Sequence, residues 1–176
     1  MPHAMPTTLA VLAATLALAA PVSAEVISRT ADGFILREEK VVAATPAQAF
    51  AALGEVGQWW NGDHTYSGSG ANLSLPLQVG ACLCEALTDG TTFEHGRISA
   101  LAPETGVTLE APLGPLKSRA SRAKLAFQWR LDGDRLRLTM TYAVEGEGLG
   151  AFAGPVDGVM TDQFARLARH LDQPAP

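Results

Sequence analysis

Residues 125–131 and 136–144 place a large apolar side chain at every second position, and the turn Asp132-Gly133-Asp134 joins them. Leu125, Phe127, Trp129 and Leu131 share one side of the first segment. Leu136, Leu138, Met140, Tyr142 and Val144 share one side of the second, opposite Arg135, Arg137, Thr139 and Thr141. A period of two sends successive side chains to opposite faces of a strand, so the pair reads as an antiparallel hairpin with one wet face and one packed face. A one-sided sheet must be covered. The C-terminal residues supply the cover: Val156, Met160, Phe164, Leu167 and Leu171 form the stripe of an amphipathic helix that opens at Gly154-Pro155, with Asp157, Asp162, Arg166 and Arg169 on its other side.

Upstream, Thr45-Pro46-Ala47-Gln48 has the chemistry of a helix start. Thr45 can accept from free backbone amides, Pro46 occupies the first turn where its missing N–H costs nothing, and Gln48 completes a capping box. Phe50 and Leu53 face inward, Gly54 and Gly57 end or kink the helix, and Trp59-Trp60 close a second short helical piece. Residues 26–42 read as a strand or hairpin about Asp32-Gly33. Further strands are expected over 73–77, 81–87, 92–101 and 107–111, punctuated by Gly80, Asp89-Gly90 and Pro103, with a loop over 146–154. The class is α+β.

Residues 9–20 are apolar throughout and lead to Pro21-Val22-Ser23-Ala24, where Val22 and Ala24 fit a small-residue cleavage pattern. The run is shorter than the roughly 20 apolar residues needed to cross a bilayer. We therefore expect a cleaved signal peptide at 1–24, one domain over 25–176, no stable membrane span, and a periplasmic or secreted protein. The n-region has His3 and no Lys or Arg. The formal charge of −5 belongs wholly to the mature segment, with 18 acidic against 13 basic side chains. Such a balance excludes nucleic acid and anionic membrane surfaces as electrostatic partners.

The order of strand, two short helices at a Trp pair, antiparallel strands and a long terminal helix resembles the START-like superfamily, also called SRPBCC. The resemblance is carried by residues 41–50 (VVAATPAQAF), Gln58-Trp59-Trp60, residues 93–103 (FEHGRISALAP) and residues 162–171. It implies a helix-grip fold, a curved antiparallel sheet wrapped around the C-terminal helix with a pocket between them. Members include lipid and sterol carriers, polyketide cyclase-like proteins and relatives of a chaperone-ATPase activator. Export fits poorly with the last of these. No set of functional residues is shared across the superfamily, so none is carried over.

Trp59, Trp60, Phe127, Trp129, Met140, Tyr142, Met160 and Phe164 are the aromatic and methionine side chains suited to lining such a pocket, and equally suited to filling a core. Candidates for acid–base chemistry are Asp63, His64, Glu94 and His95, with structural histidines as the plainer alternative. The facing of His95 is unsettled, because Phe93 and Ile98 fall on opposite sides under strict alternation. Cys82 and Cys84 would lie about 6.6 Å apart in a regular strand. They admit three readings: protected thiols, a strained disulfide, or a redox or metal role. No metal-ligand, nucleophile-elbow or dinucleotide motif is present, and no cofactor is expected. The leading function is a module that binds a small apolar or amphipathic molecule. A cyclase- or hydrolase-like enzyme and a cavity-less interaction protein are the alternatives.

Overall fold

The computed structural model describes residues 25–173. The segment expected to be a signal peptide lies outside the described residues.

Eight strands form one antiparallel sheet: β1 (Glu25–Arg29), β2 (Gly33–Val42), β3 (Leu73–Ser74), β4 (Cys82–Ala86), β5 (Thr92–Ala102), β6 (Gly106–Glu110), β7 (Arg122–Asp132) and β8 (Arg135–Glu145). Their spatial order is β1-β2-β8-β7-β6-β5-β4-β3. Two helices, α1 (Pro46–Gly54) and α2 (Val56–Trp59), follow β2, and α3 (Ala153–Leu171) ends the fold. This is the α+β helix-grip architecture, a curved sheet gripping a long terminal helix.

The hairpin predicted from alternation is β7–β8. Its register pairs Leu125 with Tyr142, Phe127 with Met140, Trp129 with Leu138 and Leu131 with Leu136. All but Leu131 are buried. Leu131 sits at the hairpin tip and is 64% exposed, since no element reaches far enough to cover it. On α3 the buried positions include Met160, Phe164, Leu167 and Leu171, and the helix also packs closely on β2. Each such side chain removed from water stabilises the fold by about 1.5–3 kcal/mol.

Local signals account for the joints. Thr45 Oγ1 accepts from the Gln48 amide at 3.2 Å, and Gln48 Oε1 accepts from the Thr45 amide at 2.8 Å, a complete capping box. Residues 149–152, read as loop, form a 3-10 turn leading into α3. The strand expected over 73–77 is reduced to two residues.

Two irregularities in β5 depart from the period-two reading. Leu83 faces Gly96 and Cys84 faces Glu94, leaving His95 as an extra residue, and Ser99 is likewise extra opposite β6. A bulge bends its strand and resets which face the next side chains occupy. His95 and Gly96 are therefore both buried in succession, and the conflict between Phe93 and Ile98 disappears. Gly96 is required by close approach: a Cβ there would lie 2.6 Å from the Ala111 Cβ.

Opposite this bulge, Cys82 and Cys84 form a disulfide with Cα atoms 5.2 Å apart. The irregular pairing between Leu83 and Cys84 brings the two closer than a regular strand allows.

Candidate functional site

Between the N-terminal half of α3 and the sheet lies an open cleft of about 410 Å³. Trp60, Leu113, Leu116, Phe152, Val156 and Met160 provide most of its apolar wall. His95 and Tyr142 reach it from the sheet, while Asp63, His64 and Tyr66 stand exposed at its mouth.

The mouth is held by α3 itself. Gln163 Oε1 accepts from the Asn61 amide at 2.8 Å, and Asp162 Oδ2 accepts from Asn61 Nδ2 at 2.8 Å and from Arg166 Nε at 2.9 Å. Burial raises the Asp162 carboxyl, but these bonds outweigh it and hold the group below its ordinary range. Asn61 also caps the turn Gly62–His64 through the Asp63 amide. That turn sets Asp63 and His64 at the rim.

Deeper in, His95 is 6% exposed and its Nε2 lies 2.8 Å from Oε2 of Glu85, which is fully buried. The Ser67 amide donates to the other carboxylate oxygen. Desolvation pushes the Glu85 carboxyl up, but hydrogen bonds from Ser67, His95 and the Tyr66 amide more than offset it, so the group is held below the usual carboxylate range. Glu85 is thus an ion that only accepts, and Nε2 must carry the imidazole proton. Nδ1 has no protein partner among the described residues and is not sealed from the cleft. Tyr66 stacks on the imidazole at 5.9 Å and Phe93 meets it edge-on at 4.8 Å, fixing the ring plane.

Tyr142 contributes only its ring. Its hydroxyl donates to the Ala111 carbonyl at 2.9 Å and accepts from the Leu113 amide at 3.2 Å, and burial raises its pKa out of reach of acid–base use.

Of the aromatic and methionine side chains singled out in the sequence, Trp60, Tyr142 and Met160 border the cleft. Trp59, Phe127, Trp129, Met140 and Phe164 do not; they fill the core, with the Trp59 indole donating to the Ala52 carbonyl and that of Trp129 to Pro103. They share a face with the cleft residues but lie where large side chains meet from both layers. Among the polar candidates, Asp63, His64 and His95 border the cleft. Glu94 instead pairs with Arg97 on the outer side, because the bulge gives the inward position to His95. Glu85 was missed, although alternation with the apolar Leu83 in Cys82-Leu83-Cys84-Glu85 signals an inward carboxylate.

No group of three or more potential ligands among the described residues could hold a metal ion. None of their helices is long and apolar enough to cross a membrane.

No protein-family model and no curated protein sequence matches the chain. Solved structures do. An uncharacterised protein from Rhizobium leguminosarum superposes with a TM-score of 0.60 at 18% identity, over 84% of this chain and 99% of its own. CalU16 from Micromonospora echinospora gives 0.54 at 13% identity, over 88% and 84%. The di-domain ARO/CYC StfQ of the steffimycin biosynthetic pathway gives 0.55 at 11% identity, over 82% of this chain and 52% of StfQ. At these identities the likeness establishes a shared helix-grip fold.

Proposed function

We propose that the chain is an exported START-like binding module that takes a small apolar or amphipathic molecule into the cleft between the sheet and the N-terminal half of α3. The carrying observation is the cleft itself, about 410 Å³ with mainly apolar walls and a buried imidazole presented into it. Ligand sites of this kind combine apolar surface with a few placed polar groups. Residues 1–24 support export, and residues 25–176 are proposed as the one mature domain. Periplasmic or secreted location follows from the same segment.

Native mass spectrometry of protein purified from its own envelope fraction tests the reading. The expected result is a mature N-terminus at Glu25 and a co-purifying small molecule. Consistently empty protein that also binds no lipid or aromatic dye would overturn it.

The Glu85–His95 pair favours a second reading, an enzyme of cyclase- or hydrolase-like chemistry. A carboxylate that orients a histidine and fixes its protonation is a common preparation of a general base. The ARO/CYC name of one fold neighbour is compatible with this. Turnover abolished by His95→Phe with binding retained would favour it over a pure binder.

A further inference from the structure

Resting on the binding reading above, we propose that the cleft selects a neutral hydrogen-bond donor, a hydroxyl or phenol carried on an apolar body, and discriminates against carboxylates. The polar groups that meet the cleft point to this head group. His95 Nε2 is committed to Glu85, so the nitrogen left for a ligand is Nδ1, which in the neutral imidazole bears the lone pair. The Asp63 carboxylate at the mouth accepts as well, while of the other lining side chains the Trp60 indole and the Tyr66 hydroxyl can donate. The Tyr142 hydroxyl, the one other oxygen acid deep in the wall, is saturated by Ala111 and Leu113 and has no proton to offer.

A ligand carboxylate would face two fixed negative charges, Asp63 at the rim and Glu85 behind the imidazole. Neither Arg119, whose guanidinium lies over the Phe152 ring at 4.6 Å, nor Lys117 is among the residues that line the cleft. Lys117 Nζ lies 2.5 Å from the Glu94 carbonyl and over the Phe93 ring, and its side chain takes no part in the cleft wall. A hydroxyl, by contrast, can donate to Nδ1 without adding charge, while the wall from Leu113 to Leu116 and from Phe152 to Met160 takes up its apolar body.

The probes are 4-octylphenol, its methyl ether 4-octylanisole, and 4-octylbenzoate, which share one body and differ in the head. They are titrated into the purified protein by calorimetry, with tryptophan emission, to which Trp60 contributes, as a second signal. The phenol is expected to bind about tenfold more tightly than the ether, the worth of one hydrogen bond, and the benzoate more weakly than either. Equal affinity for phenol and ether, or tightest binding of the benzoate, overturns the donor preference while leaving the cleft a binding site. Failure of all three to bind overturns the binding reading and this inference with it.

Two further measurements isolate the head-group contact. A long-range proton–nitrogen NMR spectrum should show His95 protonated at Nε2, and protonation at Nδ1 overturns the inference without any ligand. In Glu85→Gln the amide can present N–H to Nε2, moving the imidazole proton to Nδ1, so the phenol-over-ether preference should collapse or reverse while the ether still binds. A preference unchanged in folded Glu85→Gln, or in His95→Phe, rejects the contact.

Discussion

The two halves of α3 cover the same sheet with opposite results. Near its C-terminal end Phe164, Leu167 and Leu171 meet Phe127, Trp129 and Leu138, and the space left is about 10 Å³, at the lower limit for one water molecule. Near its N-terminal end Val156, Val159 and Met160 stand over a cleft of about 410 Å³. The helix and sheet are continuous between the two. What differs is side-chain size: Val156 and Val159 stand over the cleft where Phe164, Leu167 and Leu171 fill the space at the other end. A binding site on this fold is thus a place where packing is withheld.

The sharpest way to break that comparison is to truncate both halves. Phe164→Ala should lower unfolding free energy by roughly 3–5 kcal/mol in chemical denaturation, since it opens a void in close-packed surroundings. Val159→Ala, at a wall that is already open, should cost less than about 1 kcal/mol. Equal losses would mean the two halves are packed alike.

Enlargement inverts the test. Ala49→Phe, beside the small void, should destabilise by roughly 1–3 kcal/mol through overpacking. Val159→Phe should leave thermal stability nearly unchanged and abolish dye binding, as measured by fluorescence titration.

Charge sharpens the contrast further. Glu85 is held below its ordinary range, so its stabilising share is fully present above the unfolded carboxylate value near 4.3 and is lost as pH falls through the lower folded value. Glu85→Gln should therefore cost about 2 kcal/mol at pH 7, from bonds to a buried charge. In pH-dependent denaturation its curve should rejoin the wild type in acid.

A smaller effect than that of Glu85 belongs to the outer side of β4. The disulfide closes a loop of only three residues, worth about 1.5 kcal/mol by chain entropy. Cys82→Ser with Cys84→Ser should reduce stability by that order and weaken phenol binding modestly by loosening Glu85.

The fold was legible because its signals are local and periodic. The alternation in β7 and β8, the four-and-three stripe of α3 and the capping box at Thr45 each specify an element within a few residues. The site was legible only in part. Trp60 and Trp59 are adjacent and chemically alike, yet one borders the cleft and the other is core, because that depends on which opposing side chains fill the space. His95 could be proposed as a candidate but not aimed, since an extra residue in one strand leaves no mark on composition or period. Its partner Glu85 comes from a different strand, ten positions earlier.

The bulge at His95 also bears on how such a site arises. Removing that one residue would restore unbroken pairing between β4 and β5, leave Glu94 opposite Cys84 on the outer side, and take away the imidazole that meets Glu85. A helix-grip sheet with a plain interior and one with a polar anchor are then separated by a single inserted codon. Function on this scaffold can be gained or lost by a change of length, with every packed side chain of the core left in place.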